Sequence, residues 1–284
     1  MLSKIVFLIG AKFRNPTLWK RINASMHLKV EKSIDEGKTL SKVNSLFAYA
    51  RANSEFYKEK WKDFDDDLKL DSLAELAKLP IITKTDLVES AQRITIKKEG
   101  EKYFEAETSG STGQALKFWR DEIWDSKNRE FQIQCYAQFG VFPWERNGYF
   151  WGYSFSKKQA LKIKALDFIQ NRFRLFDYKE ESVKKFVLKL KKASYLHGYS
   201  SMIYEVAIMA KKMGFQPSDF PKLKMIKGTS EKIYPLYQSA VQDVFGKKII
   251  SEYGAAETGI IAFECTNGHM HVNHQNVIVE VEHS

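Results

Sequence analysis

The chain has 284 residues, of which 44% are hydrophobic, 14% aromatic and 28% charged. This composition excludes an intrinsically disordered protein, and the length suits one large domain or two modest ones. The formal net charge of +10 is carried by scattered lysines. It leaves open a nucleic-acid, membrane-surface or phosphorylated partner, or simply a solubilising surface.

Two cysteines, Cys135 and Cys265, stand far apart and form no disulfide framework or CxxC motif. Reduced thiols in a cytoplasm are the simplest interpretation. The apolar run IVFLIG, residues 5–10, is too short to span a bilayer, which takes about 20 residues. It also lacks a signal-peptide cleavage site. We therefore expect no transmembrane segment, and this run is either a first helix or a membrane-surface contact.

Helical spacing of apolar residues predicts helix within residues 15–60. In LPIITKTDL, residues 79–87, Thr83 or Thr85 is placed to cap a helix that begins near Asp86. The segment ALKFW, residues 115–119, predicts a short strand, and residues 121–140 predict a helix that ends at Gly140.

The second half of the chain alternates between helix and strand. An amphipathic helix is predicted over residues 181–192, and then SYLHGYS, LKMIKGTSE and KKIISEYGAAETG each predict a strand followed by a loop, with helices between them. This alternation predicts an α/β fold with a parallel-rich sheet flanked by helices. Such sheets bind ligands at the loops that follow the strands, which selects HGYSS, KGTSE and EYGAAETG. The last segment, HVNHQNVIVEVE, predicts an exposed-face strand.

The segment ETSGSTGQ, residues 107–114, contains hydroxyls and glycines and no aliphatic side chain. Its glycines permit a close backbone approach to a ligand, and successive backbone N–H groups can form an anion nest that suits a polyphosphate. A plain polar hairpin loop is the alternative. A Walker loop is excluded because Ala115 stands where its second glycine would be. The candidate phosphate-binding residues are Thr108, Ser109, Gly110, Ser111, Thr112 and Gly113.

TSGSTG resembles the phosphate loop of the adenylate-forming acyl ligases, the superfamily of acyl-CoA synthetases and peptide-synthetase adenylation domains. EYGAAETG resembles that superfamily's second signature, an aromatic-Gly-x-x-Glu loop. LPIITKTDL, LHGYSS, KGTSE and FECTNGHMHV look like the phenylacetate–CoA ligase-like branch, which includes proteins labelled capsular polysaccharide biosynthesis. The resemblance runs from about residue 40 onward.

The resemblance implies ATP-dependent activation of a small-molecule carboxylic acid as an acyl-adenylate, with Mg²⁺ as cofactor and CoA as a possible acceptor. It implies that Thr112 and Glu257 are catalytic, that Glu257 binds the metal and that Tyr253 stacks on adenine. The residues expected around adenine are Gly228, Thr229, Ser230, Glu231, Glu252, Tyr253 and Gly254. An acyl pocket is expected at His197, Gly198 and Tyr199, with ordinary packing of the histidine as the alternative.

Three departures from the pattern limit the expected activity. Ala115 and Leu116 stand where the family loop usually has proline and lysine, and Ala256 replaces the usual Thr or Ser before the glutamate. The family also continues past this point into a small mobile domain that carries a catalytic lysine, whereas this sequence stops at Ser284. We therefore expect about the first two-thirds of such an enzyme, with an incomplete C-terminal β-subdomain. The alternative is a degenerate domain that binds nucleotide or a protein without turnover.

We expect an N-terminal helical portion over residues 1–100 and a continuous α/β nucleotide-binding core over residues 101–284. No nucleic-acid-binding motif or basic stripe with interleaved aromatics is present, so nucleic acid is not an expected partner. The cluster of Cys265, His269, His271 and His274 allows zinc or, alternatively, a hairpin turn built on an Asn-Gly pair.

Overall fold

A computed structural model describes residues 2–27, 33–64, 69–108, 115–150 and 157–281. The chain forms two compact units, one of Met1–Val30 with Ser126–Ser284 and one of Glu31–Asp125. The division predicted from the sequence, between residues 100 and 101, stays a prediction.

Helices dominate the first hundred residues, and helices and strands alternate in the rest of the described chain. The helices are α1 (Leu2–Arg14), α2 (Pro16–Ser25), α3 (Glu36–Asn53), α4 (Glu55–Lys60), α5 (Lys84–Glu89), α6 (Ala91–Ile94), α7 (Glu122–Ala137), α8 (Lys157–Ile169), α9 (Glu180–Leu190), α10 (Ser200–Lys212) and α11 (Pro235–Phe245), with short 3₁₀ helices at Leu73–Lys78 and Pro217–Asp219. The strands are β1 (Tyr103–Glu107), β2 (Lys117–Asp121), β3 (Asn147–Phe150), β4 (Arg172–Arg174), β5 (Tyr195–Tyr199), β6 (Met225–Thr229), β7 (Ile249–Ala255), β8 (Gly259–Glu264) and β9 (Met270–Val272).

The smaller unit packs its helices around a core that includes Phe47, Trp61 and Leu70. Thr83 caps α5 through a capping box, in which Asp86 N–H donates to Thr83 Oγ1 at 3.2 Å and Thr83 N–H donates to Asp86 Oδ2 at 2.8 Å. The Thr83 hydroxyl and N–H groups, with Lys60, hold the pKa of Asp86 at about 2. The cap predicted at this position is confirmed, and the helix begins two residues earlier than expected.

The larger unit contains a seven-stranded sheet in the order β4-β3-β5-β6-β7-β8-β9. The first five strands of that order pair in parallel, and β8 and β9 are antiparallel. The predicted parallel-rich sheet with flanking helices is therefore confirmed. Strands β3 and β4, which lie at the far edge from β9, were not predicted from the sequence.

One face of this sheet carries the main core. Phe150, Leu196, Ile226 and Ile249 alternate with residues of the opposite face and pack against α9, α10 and α11. The predicted apolar stripe of α9 is buried here, through Val183, Phe186, Val187 and Leu190.

The opposite face packs partly against α7. Tyr195 and Met225 of the sheet contact a second cluster that includes Phe131 and Tyr136 of α7 and Phe263 of β8. Burial raises the pKa of the Tyr136 hydroxyl well above its usual value, so this ring is a neutral core residue. This face is therefore only partly apolar, because polar side chains occupy other positions on it.

The predicted C-terminal strand over residues 271–282 is wrong for most of its length. Strand β9 ends at Val272, because the buried side chain of Asn273 donates to Ile260 O at 3.1 Å. The backbone carbonyl of Asn273 then accepts from Val277 N–H at 3.0 Å, which closes a turn. This local amide chemistry overrides the alternating pattern of the segment.

No helix in the described ranges is long and apolar enough to cross a membrane.

We expect Ile226→Ala to lower the free energy of unfolding by about 2–5 kcal/mol, because it removes buried methyl groups from the main core and leaves a cavity. The matched control is Leu236→Ala on the exposed side of α11, which we expect to change it by less than about 0.5 kcal/mol. Urea unfolding measures both. Equal effects of the two substitutions would contradict the assignment of the core face.

Candidate active site

Three predicted loops meet at one edge of the sheet. Gly198 of β5 pairs with Gly228 of β6, and Tyr199 pairs with Thr229. Thr229 pairs in turn with Glu252 of β7. Because these strands are parallel, their carboxyl ends lie side by side, and the structure brings together the loops HGYSS, KGTSE and EYGAAETG.

The glycines at the ends of β5 and β6 are required by packing inside the unit. A Cβ at Gly198 would lie 2.4 Å from the carbonyl oxygen of Phe150, and a Cβ at Gly228 would lie 2.5 Å from Ser200 Oγ at the start of α10. Both glycines therefore let protein groups approach closely. A ligand is not needed to explain either of them.

Hydrogen bonds connect the loop after β6 to β7 on one side and to the start of α10 on the other. Thr229 Oγ1 donates to Glu252 O at 3.2 Å. The Glu231 carboxylate accepts a 2.8 Å hydrogen bond from Ser201 N–H in the first turn of α10, where a negative charge is favourable. Ser230 between them adopts a left-handed backbone with φ of 68°. The predicted adenine-site residues 229–231 thus form an ordered bridge between the loops after β5 and β7.

A buried ion pair joins β6 to β7. Lys227 Nζ lies 2.5 Å from Glu252 Oε1, and the two side chains are 5% and 11% exposed. The second carboxylate oxygen of Glu252 is buried and has no hydrogen-bond partner within the part of the chain that the structure describes. Glu252 was predicted at the adenine site, whereas its carboxylate binds Lys227. Lys227 was not predicted as a site residue, although a charged residue within an apolar strand is a signal that could have identified it.

A row of polar side chains crosses four strands on the face that carries Lys227. Arg174, Tyr149, His197 and Lys227 are register partners in successive strands, and we name them the cross-strand row. His197 Nε2 lies 3.3 Å from Asn147 Oδ1, and its ring centroid lies 4.6 Å from that of Tyr149. The predicted acyl-pocket histidine is thus part of a cluster whose other members were not predicted.

Cations surround the aromatic ring of Tyr149. The guanidinium carbons of Arg172 and Arg174 each lie 4.6 Å from its ring centroid. Asp167 pairs with both arginines, at 3.0 Å from Arg172 Nε and 3.1 Å from Arg174 Nε. This carboxylate balances one of the two positive charges, and burial raises the pKa of the Tyr149 hydroxyl.

His197 is held in its neutral form. Burial is the main cause that lowers its pKa well below the usual value, and Lys227, Arg172 and Arg174 add to it because a second positive charge nearby is unfavourable. A neutral imidazole in this position can donate or accept a hydrogen bond at Nε2.

The second signature loop has an exposed aromatic ring and an exposed carboxylate. Tyr253 is 61% exposed at the end of β7, next to a register shift between Tyr253 and Gly254. A Cβ at Gly254 would lie 2.4 Å from Gly259 O, so a glycine is needed where β7 turns into β8. Glu257 is exposed in that turn.

Thr108 lies in the smaller unit and closes the β1–β2 hairpin at its loop end. Its N–H donates to Leu116 O at 3.0 Å, and its Oγ1 accepts from Leu116 N–H at 2.9 Å. The other predicted phosphate-binding residues, Ser109, Gly110, Ser111, Thr112 and Gly113, lie outside the described residues.

Cys265 and His269 lie in the turn between β8 and β9, whereas His271 lies within β9 and His274 follows it. Cys265 N–H donates to His269 O at 2.9 Å, and Gly268 has a left-handed φ of 81°. Across the ranges that the structure describes, no three His, Cys, Asp or Glu side chains form a group that could hold a metal ion. The hairpin alternative therefore explains this segment, and zinc has no support. Cys135 and Cys265 are both free and buried.

The chain resembles known proteins over most of its length. It is 25% identical over 258 residues to Protein CapK of Staphylococcus aureus, covering 84% of this chain and 56% of CapK. It superposes on 2-hydroxyisobutyryl-CoA ligase in complex with 2-HIB-AMP and CoA with a TM-score of 0.63 and 18% identity, covering 81% of this chain and 52% of the ligase. The postadenylation state of that ligase gives a TM-score of 0.61 and 19% identity, covering 81% of this chain and 51% of the ligase.

The chain has the fold of the adenylate-forming acyl-CoA ligases. The predicted resemblance is confirmed at the level of the fold. The chain spans about half the length of the relatives that it matches. No family model matches the sequence.

We expect Lys227→Met to lower the free energy of unfolding by about 3–5 kcal/mol, because it leaves the Glu252 carboxylate buried without its cation. The double variant Lys227→Met/Glu252→Gln removes both charges, and we expect it to recover at least half of that loss. Urea unfolding of the two single variants and the double variant gives the coupling energy. Additive effects would show that the two charges do not interact.

Stability should also depend on the protonation of His197. Below the unfolded pKa of about 6.5 the unfolded chain binds a proton at this histidine that the folded chain does not bind, so stability falls as pH falls. From about pH 7 to about pH 5, we expect the wild type to lose more stability than His197→Gln, by up to about 1.4 kcal/mol per pH unit below the unfolded pKa. Parallel pH profiles of unfolding would contradict a neutral His197.

Proposed function

We propose that this chain carries the nucleotide-binding core of an ATP-dependent, AMP-forming ligase that activates a carboxylic acid as an acyl-adenylate. The observation that carries this proposal is the meeting of three loops at the ends of β5, β6 and β7. This arrangement occurs in a fold shared with 2-hydroxyisobutyryl-CoA ligase, whose structure contains 2-HIB-AMP and CoA. A ligand site at this edge of a parallel sheet is also the general expectation.

The adenine would stack on Tyr253. Its ring is exposed near the end of β7, and the adjacent loop of residues 228–231 is held in place by hydrogen bonds from both sides. Glu252 would then act through its backbone and through its ion pair with Lys227, which positions the loop. We assign adenine contact to Tyr253 and Gly254 and a positioning role to Glu252.

The phosphates and Mg²⁺ would be held by two sets of residues. Glu257 presents an exposed carboxylate, which fits the way that proteins hold Mg²⁺ with one or two carboxylates and the phosphates of the substrate. Residues 108–113 would hold the β- and γ-phosphates, with Thr112 as the catalytic hydroxyl. The bound ion would supply charge stabilisation at the phosphates.

The acyl group would lie near His197, Gly198 and Tyr199. His197 is a member of the cross-strand row, which also contains the Tyr149 ring and the charged groups of Lys227 and Arg174. This lining is polar and aromatic, so we propose a hydroxylated or aromatic acid in preference to a long aliphatic chain. The acceptor would be CoA, as the structure of the similar ligase suggests.

The cellular role is proposed from the relative at 25% identity. CapK is a name associated with the capsule, and it supports a place in cell-surface polysaccharide biosynthesis. Two free, buried cysteines agree with a reducing compartment such as the cytoplasm.

Pyrophosphate exchange tests the proposed activity. We expect exchange between ATP and labelled pyrophosphate that depends on one class within a panel of aliphatic, hydroxylated and aromatic acids. Glu257→Gln should lower the exchange rate by at least about 100-fold, since it removes the carboxylate proposed to hold the Mg²⁺ that stabilises charge on the phosphates. Glu181→Gln, an exposed glutamate on α9, is the matched control and should leave the rate unchanged.

Calorimetry with ATP and Mg²⁺ separates the proposal from the non-catalytic alternative. Binding without exchange for any acid would favour a domain that binds nucleotide without turnover. Binding that survives a combined Glu257→Ala/Thr112→Ala change would contradict the site assignment.

A further inference from the structure

Helix α1 has two apolar sides, and one of them faces solvent. Leu2, Ile5, Ile9 and Phe13 are 75%, 46%, 52% and 79% exposed. They recur every three or four residues and therefore form one continuous strip, which we name the α1 stripe. Single exposed apolar residues are ordinary on proteins, but an ordered strip of large ones marks an interaction surface.

The other side of α1 accounts for the attachment of the helix to its own unit. Ala11 is buried, and Phe7 and Leu8 pack against a cluster that contains Ile22 and Trp144. Rotation of the helix to bury the α1 stripe would expose these side chains instead. The stripe is thus a second apolar surface and is not the core-facing side of the helix.

The charged side chains among the first 30 residues, which include α1, are all basic. Residues 1–30 contain six lysines and arginines and no aspartate or glutamate, so they carry six of the ten net positive charges of the chain. Arg21 is partly balanced by Glu130, at 3.0 Å. Lys12 Nζ lies 5.3 Å from the ring centroid of Trp19, which is itself 40% exposed. Tryptophan and lysine are both favoured where a membrane meets water.

We propose that α1 binds the surface of an anionic lipid bilayer, with the α1 stripe inserted at the boundary between headgroups and acyl chains. Affinity would come from buried apolar area together with attraction between the basic residues and anionic headgroups. The helix has 13 residues, so it would lie along the surface and would not cross the bilayer. This proposal is independent of the proposed enzymatic function.

The basic residues near the α1 stripe favour an anionic bilayer, and not a second copy of the chain, as the partner that covers the stripe. A symmetric pair that joined two α1 stripes would bring two groups of cations together without acidic partners from residues 1–30. Like charges placed opposite each other oppose association, whereas an anionic surface complements them.

Vesicle co-sedimentation tests the proposal with the full chain. Vesicles of equal parts phosphatidylglycerol and phosphatidylcholine are compared with vesicles of phosphatidylcholine alone. We expect the wild type to bind the anionic vesicles at least about tenfold more strongly, and this binding should weaken as salt is raised. Ile5→Glu/Ile9→Glu should lower the partition coefficient on anionic vesicles by at least about tenfold.

The matched control is Leu188→Glu/Leu236→Glu, which places the same two charges at exposed leucines of α9 and α11. We expect binding within about twofold of the wild type, since neither leucine belongs to the α1 stripe. Circular dichroism and urea unfolding check the fold of both variants. If the double stripe variant does not fold, the single exposed change Ile9→Ser is measured in its place.

Three outcomes would overturn the proposal. The first is equal binding of wild type and stripe variant to anionic vesicles. The second is an absence of binding, or equal binding to both kinds of vesicle. The third is a dimer in lipid-free solution that the stripe substitutions dissociate while no vesicle is bound, which would make the α1 stripe an interface between copies of the chain.

Discussion

The buried pair of Lys227 and Glu252 fixes the part of the molecule on which the candidate site depends. Two charges at 2.5 Å inside a protein are tolerated only while both are present, because either one alone would be buried without compensation. A slip of one residue between β6 and β7 would turn Lys227 toward the apolar face that holds Ile226 and Ile249. The ion pair therefore specifies the register that places loop 228–231 beside Tyr253.

Successive side chains along each strand point to opposite faces of the sheet, so the core residues and the cross-strand row lie on different faces. In β5, Leu196 and Gly198 face the helical core, while Tyr195 and His197 face the other side. The same alternation in β6 places Ile226 in the core and Lys227 in the cross-strand row. One face can therefore be close-packed around α9, α10 and α11 while the other holds polar groups in register, and neither requirement disturbs the other.

The sequence patterns predicted the elements that are stabilised mainly by interactions between residues close in sequence. Alternating strands and amphipathic helices identified β5, β6 and β7 and the helices α9, α10 and α11, and Thr83 identified a cap. The four-residue β3 and three-residue β4 were missed because such short strands are stabilised by neighbours that are distant in sequence. The partners of His197 were missed for the same reason, since Asn147 and Tyr149 are about 50 residues away from it. The final strand was overpredicted because the pattern does not reveal the buried amide of Asn273.

The positions of the charged residues show which part of the chain carries the excess that gives the net charge of +10. In and beside the cross-strand row, Asp167 and Glu252 balance two of the three cations Arg172, Arg174 and Lys227. These side chains together carry little excess charge, so the affinity of the proposed site for a phosphorylated ligand would have to come from directed hydrogen bonds and a metal ion. Most of the excess lies instead within residues 1–30, next to an exposed apolar stripe. We therefore attribute the excess positive charge to the proposed bilayer contact of α1 and not to the proposed nucleotide site.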